Sequence, residues 1–355
     1  MNNVWPHVDE SFRKMKVVPI RNRLKMIVLI SLILLWTGIA FSRYTTDPVH
    51  PGVPPTTVNL PKGSGFLRIT DILHDTGLVE NRPFFWMLAL VKKAIPHIQA
   101  GEYELNGAMS PNEILNKLVR GEIKVYKVVL PENLTANEAA KRLLADKLID
   151  EKEFTALSAD RSFLSSLGVE ADSIEGYLYP DTYHFNRSMT TEKIIRTILE
   201  KFWKEVTPEL REKAKEMGLT MNEWVTLASM IGKESGNRAE KPLISAVFHN
   251  RLRMGMKLQS DPTAIYHLAK NGQPVPSVRK EHLQSDTPYN TYIINGLPAG
   301  PIASPGIYSL VAALYPASVD YLYFVANNDG GHHFSKNLSA HNQAVLKYQI
   351  HNQKK

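Results

Sequence analysis

The sequence predicts an α+β protein with a single N-terminal transmembrane helix, then a small α+β module, then a larger mixed α/β domain. Three features of the 355-residue chain predict this class: an uncharged run at 26–41, a repeated strand–loop–helix pattern within 58–150, and an amphipathic helix pattern at 220–236. The 43% hydrophobic and 22% charged residues are ordinary for a globular protein, and the length allows about two domains.

The N-terminal segment combines a basic stretch with the apolar run at 26–41, which is 16 residues long. A membrane span needs about 17–25 apolar residues, so tilt or local bilayer thinning would close the gap. A cleaved signal peptide and a retained anchor both fit this pattern. The lack of a small-x-small cleavage site after the run favours an anchor at 26–43. The positive-inside rule then places a tail at 1–25 in the cytoplasm and the rest outside.

The charge balance and the missing cysteines exclude several classes of function. Six basic and two acidic side chains within 1–25 account for +4 of the net charge of +7, so the high pI is partly a topology signal. The sequence has no basic stripe interleaved with aromatic residues, so this signal of nucleic-acid binding is missing. The sequence contains no cysteine, which excludes disulfides, thiolate metal sites and cysteine nucleophiles.

The part between the anchor and residue 173 contains a linker, a repeat and a connector. Residues 44–57 are rich in proline and predict a semi-rigid linker. Within 58–150, strands lead into helices with capping boxes such as Ser110/Glu113 and Thr135/Glu138. Such modules bind extended ligands or act as spacers, and both alternatives stay open. Residues 151–173 form a helical connector.

The helix predicted at 220–236 ends in a candidate general acid. Thr220 and Glu223 form a capping box, Gly236 is a natural stop, and Glu234 lies on or beside the apolar stripe. Partial burial and the carbonyl-rich helix end both favour the protonated carboxyl group. A glutamic acid that is protonated near neutral pH suits glycosidic chemistry. The alternative is a solvated acid at a frayed helix end.

Aromatic and polar residues in three other stretches are candidates for sugar binding. Rings stack on pyranose faces and acids accept hydrogen bonds from hydroxyl groups, although the stretch at 174–183 also fits an aromatic segment that packs two domains together. Asp261 before a proline also fits a helix N-cap. A loop as long as 287–305 is usually functional or disordered. The candidates are Glu175, Tyr177, Tyr179, Asp181, Asn250, Arg251, Gln259, Asp261, Tyr266, Tyr289, Asn290, Thr291 and Tyr292.

The histidines of the distal half do not predict a metal site. His332 and His333 are adjacent on a predicted strand, where neighbouring side chains point to opposite faces, and no carboxylate follows at ligand spacing. The nucleophile-elbow, phosphate-loop, dinucleotide and His-Glu-x-x-His patterns are also missing from the sequence. We therefore expect no metal and no cofactor.

Four distal segments resemble the endolytic murein transglycosylases, the MltG or YceG-like family. They are LASMIGKES, AVFHNRLRMGMKLQSDPTAIYH, YNTYIINGLPAGPIASPG and YLYFVANNDGGHHFSKNLSAHNQAV. The stretch EGYLYPDTY at 175–183 also fits, and the resemblance covers roughly 55–350.

The resemblance implies a membrane-bound enzyme that cleaves the MurNAc-β-1,4-GlcNAc bond of nascent peptidoglycan, leaves 1,6-anhydro-MurNAc ends and terminates strand elongation. It implies a LysM-like module at 58–150 and a catalytic domain at 174–350 in which Glu234 is the catalytic acid. The implied partners are glycan strands and cell-wall synthases. The implied location is the cytoplasmic membrane, with the catalytic domain on its outer side.

One departure from the family pattern lies within the predicted helix. The family carries a Glu-Lys-Glu run, whose first glutamate is Gly232 here and whose second is Glu234. If the missing glutamate only orients the groove or a partner loop, activity survives, whereas activity is weakened if that glutamate tunes the acid or holds substrate. Gly232 keeps a non-catalytic peptidoglycan-binding scaffold as an alternative, and a muramidase-type hydrolase that cuts the same bond is another.

Overall fold

The computed structural model describes residues 20–50, 52, 54–273 and 277–350. Most of the predicted cytoplasmic tail at 1–25 therefore lies outside the described residues. The chain divides into two compact units, one ending at Lys124 and one beginning at Val125. Elements of both types occur in each unit, which agrees with the predicted α+β class.

The first unit begins with helix α1, Ile20–Thr46. An 18-residue window within it has a mean hydropathy of 2.3, and the helix is long and apolar enough to cross a membrane. Its last turns pack on the folded part of the unit. The rings of Phe41 and Tyr44 lie 5.6 and 5.5 Å from the ring of Phe84. The predicted apolar helix is thus confirmed as a helix.

The described residues of the first unit after α1 form a two-stranded sheet covered by helices. Strand β1 (Thr56–Leu60) pairs antiparallel with β2 (Gly101–Leu105). The helices are α2 (Phe66–Asp75), α3 (Arg82–Val91) and α4 (Pro111–Arg120), with a short 3₁₀ helix at Ile95–His97. The predicted capping box of Ser110 and Glu113 begins α4, and Gly121 ends it with a positive φ of 64°.

The second unit opens with another antiparallel pair, β3 (Tyr126–Leu130) and β4 (Asp181–Phe185). Helices α5 (Ala136–Ala145), α6 (Glu151–Ala159) and α7 (Arg161–Ser166) lie between them in sequence. Because β3 pairs with β4, the third strand–helix repeat belongs to this unit. The first compact unit therefore ends before the boundary at 150 that the repeat pattern predicts.

The other elements among the described residues of the second unit are helices and one β-hairpin. The hairpin joins β5 (Tyr323–Ala326) to β6 (His332–Ser335). The helices are α8 (Thr191–Glu205), α9 (Pro208–Glu216), α10 (Met221–Glu234), α11 (Lys241–Arg253), α12 (Asp261–Lys270), α13 (Lys280–Leu283), α14 (Ile307–Leu314) and α15 (Leu338–Val345), which continues into a π-helical turn at Leu346–Ile350.

Helix α10 is the centre of this unit. The predicted capping box of Thr220 and Glu223 begins it, and residues 224–232 are all buried. It packs against α14, α11 and α12. The indole of Trp224 donates a hydrogen bond of 2.8 Å to the carbonyl of Leu310 on α14. Because α10 is buried on all sides over these residues, its direction is fixed, and so is the position of its last residue, Glu234.

Candidate active site

An open cleft of about 500 Å³ lies at the C-terminal end of α10. One side is formed by the ends of α10 and α11 and the start of α12, and the other by the β5–β6 hairpin and α15. The polar and charged side chains that line it are Glu234, Arg251, Gln259, Asp261, Tyr292, Tyr323, His332, His341, Asn342 and Gln349. The cleft is open to solvent.

Glu234 is the last residue of α10 and is partly exposed to the cleft. Burial raises the pKa of its carboxyl group to about 7, and the charge of Asp261 acts in the same direction. The Ser260 hydroxyl and the positive charge of Arg251 act in the opposite direction. At neutral pH both protonation states are therefore populated, which allows the same carboxyl group to donate a proton and then accept one.

Ser260 holds the carboxyl group of Glu234 in place. Its hydroxyl donates a hydrogen bond to Oε1 of Glu234. The Ser260 amide in turn donates to Oγ1 of Thr291 over 2.9 Å, and that atom lies 2.8 Å from Oγ1 of Thr263. Thr291 and Thr263 are fully buried. The long loop at 287–305 thus acts on the acid indirectly, by fixing the backbone of Ser260.

Arg251 ties one wall of the cleft to the other. Its Nε donates to the carbonyl of Leu322, just before β5, over 2.7 Å, and its Nη1 donates to the carbonyl of Leu258 over 2.8 Å. The guanidinium also lies 5.0 Å from the ring centroid of Tyr323. Burial lowers the pKa of Arg251 from its ordinary value. The side chain remains a fixed positive charge beside Glu234 because its ordinary pKa is so high.

Asp261 and Tyr292 form a second polar pair in the cleft. The Tyr292 hydroxyl donates to Oδ1 of Asp261 over 2.5 Å. Asp261 is the first residue of α12, and Ser260 occupies the N-cap position. The N-cap interpretation of Asp261 is therefore wrong. Its carboxylate lines the cleft, and the oxygen atoms of the pair can accept hydrogen bonds from a polyhydroxyl ligand.

His332 fastens the β-hairpin to the end of α10. Its amide donates to Oε1 of Glu240 over 2.7 Å, and its Nδ1 lies 2.8 Å from Oε2 of the same residue. Ser235, directly after Glu234, donates from its hydroxyl to Oε2 over 3.2 Å. Burial acts to raise the pKa of Glu240, but the hydrogen bonds from His332 outweigh it and the pKa is lowered. This connection holds the hairpin wall of the cleft against the end of α10.

The predicted candidates in the stretch at 174–183 lie away from the cleft. Glu175 is buried and accepts hydrogen bonds from the Ala136 amide over 3.0 Å and from the Tyr266 hydroxyl over 2.9 Å. Burial raises its pKa to about 7. Tyr177 and Tyr179 are also buried. These placements favour the packing alternative for this stretch.

The other candidates outside the cleft support neighbouring backbone. Asn250 donates to the carbonyls of Val319 and Tyr321, each over 2.9 Å. Asn290 donates to three carbonyls between residues 282 and 285. The remaining placements are an ion pair of Asp181 with Lys201 at 3.1 Å, contact of the Tyr289 ring with Tyr266, and the support of Ser260 by Thr291. Arg251, Gln259, Asp261 and Tyr292 are the predicted binding residues that share the cleft with Glu234.

Sequence reasoning missed Ser260, Glu240 and His332. Ser260 directly precedes Asp261-Pro262, and a serine before a helix start is a recognisable capping signal. The Glu240–His332 pair is 92 residues apart in sequence, and no local pattern reports such a contact.

Fold and site together define an α+β protein with one protonatable glutamate at a helix end in an open polar cleft. The YceG-like family model matches residues 58–347, and the chain belongs to this family. The resemblance seen in the sequence is thus confirmed.

Two similar proteins with curated names are both called endolytic murein transglycosylases. The chain is 31% identical over 325 residues to the endolytic murein transglycosylase of Bacillus subtilis, covering 87% of this chain and 89% of that protein. It is 30% identical over 354 residues to the endolytic murein transglycosylase of Streptococcus pneumoniae D39, covering 90% of this chain but only 64% of that protein. A crystal structure of a yceG-like protein from Listeria monocytogenes superposes with a TM-score of 0.58 at 32% identity, covering 81% of this chain and 98% of that one.

Proposed function

We propose that this chain is an endolytic murein transglycosylase that cleaves the MurNAc-β-1,4-GlcNAc bond and leaves 1,6-anhydro-MurNAc ends, so terminating strand elongation. The observation that carries the proposal is the position of Glu234, a carboxyl group with a pKa of about 7 at the end of a buried helix and the edge of an open polar cleft. Family membership and the names of the relatives support the same activity.

The proposed reaction needs one acid that works twice. Protonated Glu234 donates its proton to the bridging oxygen as the bond from that oxygen to C1 of MurNAc breaks. The resulting carboxylate then accepts the proton of the C6 hydroxyl of MurNAc while O6 bonds to C1. The proton returns to Glu234, the 1,6-anhydro ring closes, and no water is consumed. A pKa near 7 suits a group that must both donate and accept at neutral pH.

Neighbouring side chains support these two steps. Ser260 donates to Oε1 and so orients the carboxyl group. Arg251 contributes positive charge that favours the carboxylate formed by the first step, whereas burial and Asp261 favour its reprotonation. The Asp261–Tyr292 pair and Gln259 supply hydrogen-bonding groups for the sugar hydroxyls.

One observation supports a second candidate, hydrolysis of the same bond by a muramidase-type mechanism. The carboxylate of Asp261 lines the same cleft as Glu234. A second carboxylate across the scissile bond is what an inverting glycosidase uses to activate water. The two reactions differ by one molecule of water in the product.

The proposal includes a membrane anchor and an extracytoplasmic site. Helix α1 is the single-pass anchor, supported by its mean hydropathy of 2.3 and by the basic residues that precede its apolar run. The N-terminus is cytoplasmic, a LysM-like module lies within residues 58–150, and residues 174–350 form the catalytic domain. Peptidoglycan strands are the substrate, and cell-wall synthases in the same membrane are the partners.

Digestion of purified glycan strands by the full chain in detergent tests the proposal. Mass spectrometry should find anhydro-ended products with the natural sequence and lose them with Glu234→Gln, which keeps the size of the side chain but cannot donate an acidic proton. Sugar binding without any turnover by the natural sequence would identify a non-catalytic scaffold and overturn the proposal.

A further inference from the structure

The first unit carries a concentrated apolar surface on α2 and α3. Among its described residues outside α1, the large hydrophobic side chains that are exposed are Leu67 (72%), Trp86 (47%), Leu90 (44%) and Val91 (69%). All but Leu67 are on α3, and a groove of about 520 Å³ between α2 and α3 is lined by Leu67, Phe84, Trp86 and Met87. We call the four exposed side chains, Leu67, Trp86, Leu90 and Val91, the α3 face. Such a concentration on one surface indicates an interaction.

The start of α3 packs against the end of the apolar run of α1. The run ends at Phe41, and the rings of Phe41 and Tyr44 contact Phe84 in the first turn of α3. A second link follows α1, where the amide of His50 donates to the carbonyl of Gly107 over 2.8 Å. At 1.5 Å per residue, Val91 lies about 10 Å further along α3 than Phe84. The three residues of the face that lie on α3 are therefore within about two helical turns of Phe84, which contacts the end of the apolar run of α1.

We propose that the α3 face lies in the outer leaflet of the same membrane that α1 crosses, an inference that rests on the proposed anchoring by α1. The lipid-facing surface of α1 and the α3 face adjoin at Phe41, Tyr44 and Phe84, so a bilayer around α1 reaches α3 without any further partner. Apolar faces of interfacial helices enter the headgroup–acyl boundary by about 5–10 Å.

The composition of α3 fits the chemistry of that boundary. A tryptophan in the middle of the face is typical of the membrane–water interface, where the ring is apolar and the indole N–H meets headgroups. Lys92 and Lys93 follow the last apolar residue and are exposed, and their ammonium groups suit lipid phosphates. The helix is only 10 residues long, so it lies on the membrane and does not cross it.

The missing cysteines make a clean test possible, because one introduced cysteine is a unique label site. We suggest Leu90→Cys in the full chain, labelled with an environment-sensitive fluorophore and reconstituted into vesicles of phosphatidylethanolamine and phosphatidylglycerol. Nitroxide lipids and aqueous iodide serve as quenchers. Leu34→Cys on α1 reports whether the anchor itself is inserted. Glu122→Cys, which follows the end of α4 remote from the Gly107 link, is the aqueous control.

The proposal predicts a blue-shifted Leu90 label that loses most of its emission to nitroxide lipids and is protected from iodide relative to Glu122. Quenching of Leu90 by iodide alone, while Leu34 is quenched by lipid, overturns the proposal and leaves the anchor intact. Protection of Leu90 from both quenchers shows that a protein surface covers the face, which also overturns it. Iodide quenching at Leu34 shows instead that the proposed anchoring is wrong.

Discussion

The hydroxyl of Ser260 donates a hydrogen bond to the carboxyl group of Glu234, and the two residues are 26 positions apart in sequence. Buried Thr291 accepts a hydrogen bond from the Ser260 amide, so a loop, a helix start and a helix end meet at one residue, Ser260. Because this hydrogen bond favours the charged carboxylate, it opposes the effect of burial on the pKa of Glu234. The balance of the two effects gives the Glu234 carboxyl group a pKa of about 7.

Ser260→Ala should raise the pKa of Glu234 further and move the alkaline limb of the activity profile to higher pH. The loss of one hydrogen bond to a charged group corresponds to about 1.5–3 kcal/mol. Within the described part of the chain, the Ser260 side chain makes no capping hydrogen bond to α12, so the helix start should survive. The measurement is kcat/KM against pH. Ser285→Ala, whose hydroxyl bonds only backbone carbonyls, is the control, and an unchanged profile for Ser260→Ala would contradict this role.

Glu175→Gln should act on stability and leave the cleft itself unchanged. The folded-state pKa of about 7 exceeds the ordinary value of 4.5, so the stability that this group contributes is present below 4.5 and is lost as the pH rises to about 7. Glutamine cannot titrate and turns an N–H group toward other donors, so we expect about 1–3 kcal/mol of destabilisation at pH 5 and a flatter pH dependence.

Urea unfolding at several pH values checks the prediction for Glu175. Tyr266→Phe removes one donor to the same carboxyl group, so it should destabilise less and keep the pH dependence. A variant with unchanged stability and a higher KM would instead support the substrate-binding interpretation of Glu175.

Gly232→Ala should destabilise the protein, although alanine favours helix by about 1 kcal/mol. A Cβ at this position would lie 2.2 Å from Oδ1 of Asn133 and 3.2 Å from Oγ of Ser309. Overpacking of a buried site costs about 1–3 kcal/mol. Asn133 has a positive φ of 67°, so glycine fits its backbone and removes the clash.

A double-mutant cycle of Gly232→Ala and Asn133→Gly tests whether the two positions are coupled. We expect the pair to be more stable than the sum of the single changes predicts, measured by denaturant unfolding. Simple additivity would show that another contact decides the effect at position 232. The same geometry implies that a glutamate here requires Asn133 to move.

His332→Ala should weaken substrate binding more than it lowers turnover, because His332 holds the hairpin wall of the cleft through Glu240. The pKa of Glu240 is lowered in the folded state, so this contribution to stability is present above the ordinary value and is lost as the pH falls. We expect a raised KM with a smaller change in kcat. His333→Ala is the matched control, since its side chain is exposed on the other face of the same strand.

Local patterns predicted the parts of the fold that are determined locally. The capping boxes at Ser110, Thr135 and Thr220 are present, and the apolar run forms a long helix, because these features depend on residues three or four positions apart. The end of the first compact unit at Lys124 does not follow from such local features, because it depends on the pairing of β3 with β4, whose nearest paired residues, Leu130 and Asp181, are 51 positions apart.

The candidate site shows the same division. Helix periodicity placed Glu234 at the edge of a core, and the structure puts it at the cleft. Composition alone does not separate a sugar-binding aromatic residue from a core aromatic residue, so it predicts the same role for Tyr177, which is buried, and for Tyr292, which lines the cleft. Ser260 and His332 act through contacts that are remote in sequence.

The central claim is that Glu234 alone carries a cleavage that consumes no water. Digestion of glycan strands in oxygen-18 water, followed by mass spectrometry of the new ends, tests it most directly. We predict anhydro-MurNAc ends without heavy oxygen for the natural sequence and no cleavage by Glu234→Gln. Reducing ends that carry one oxygen-18 atom would show hydrolysis and contradict the single-acid mechanism.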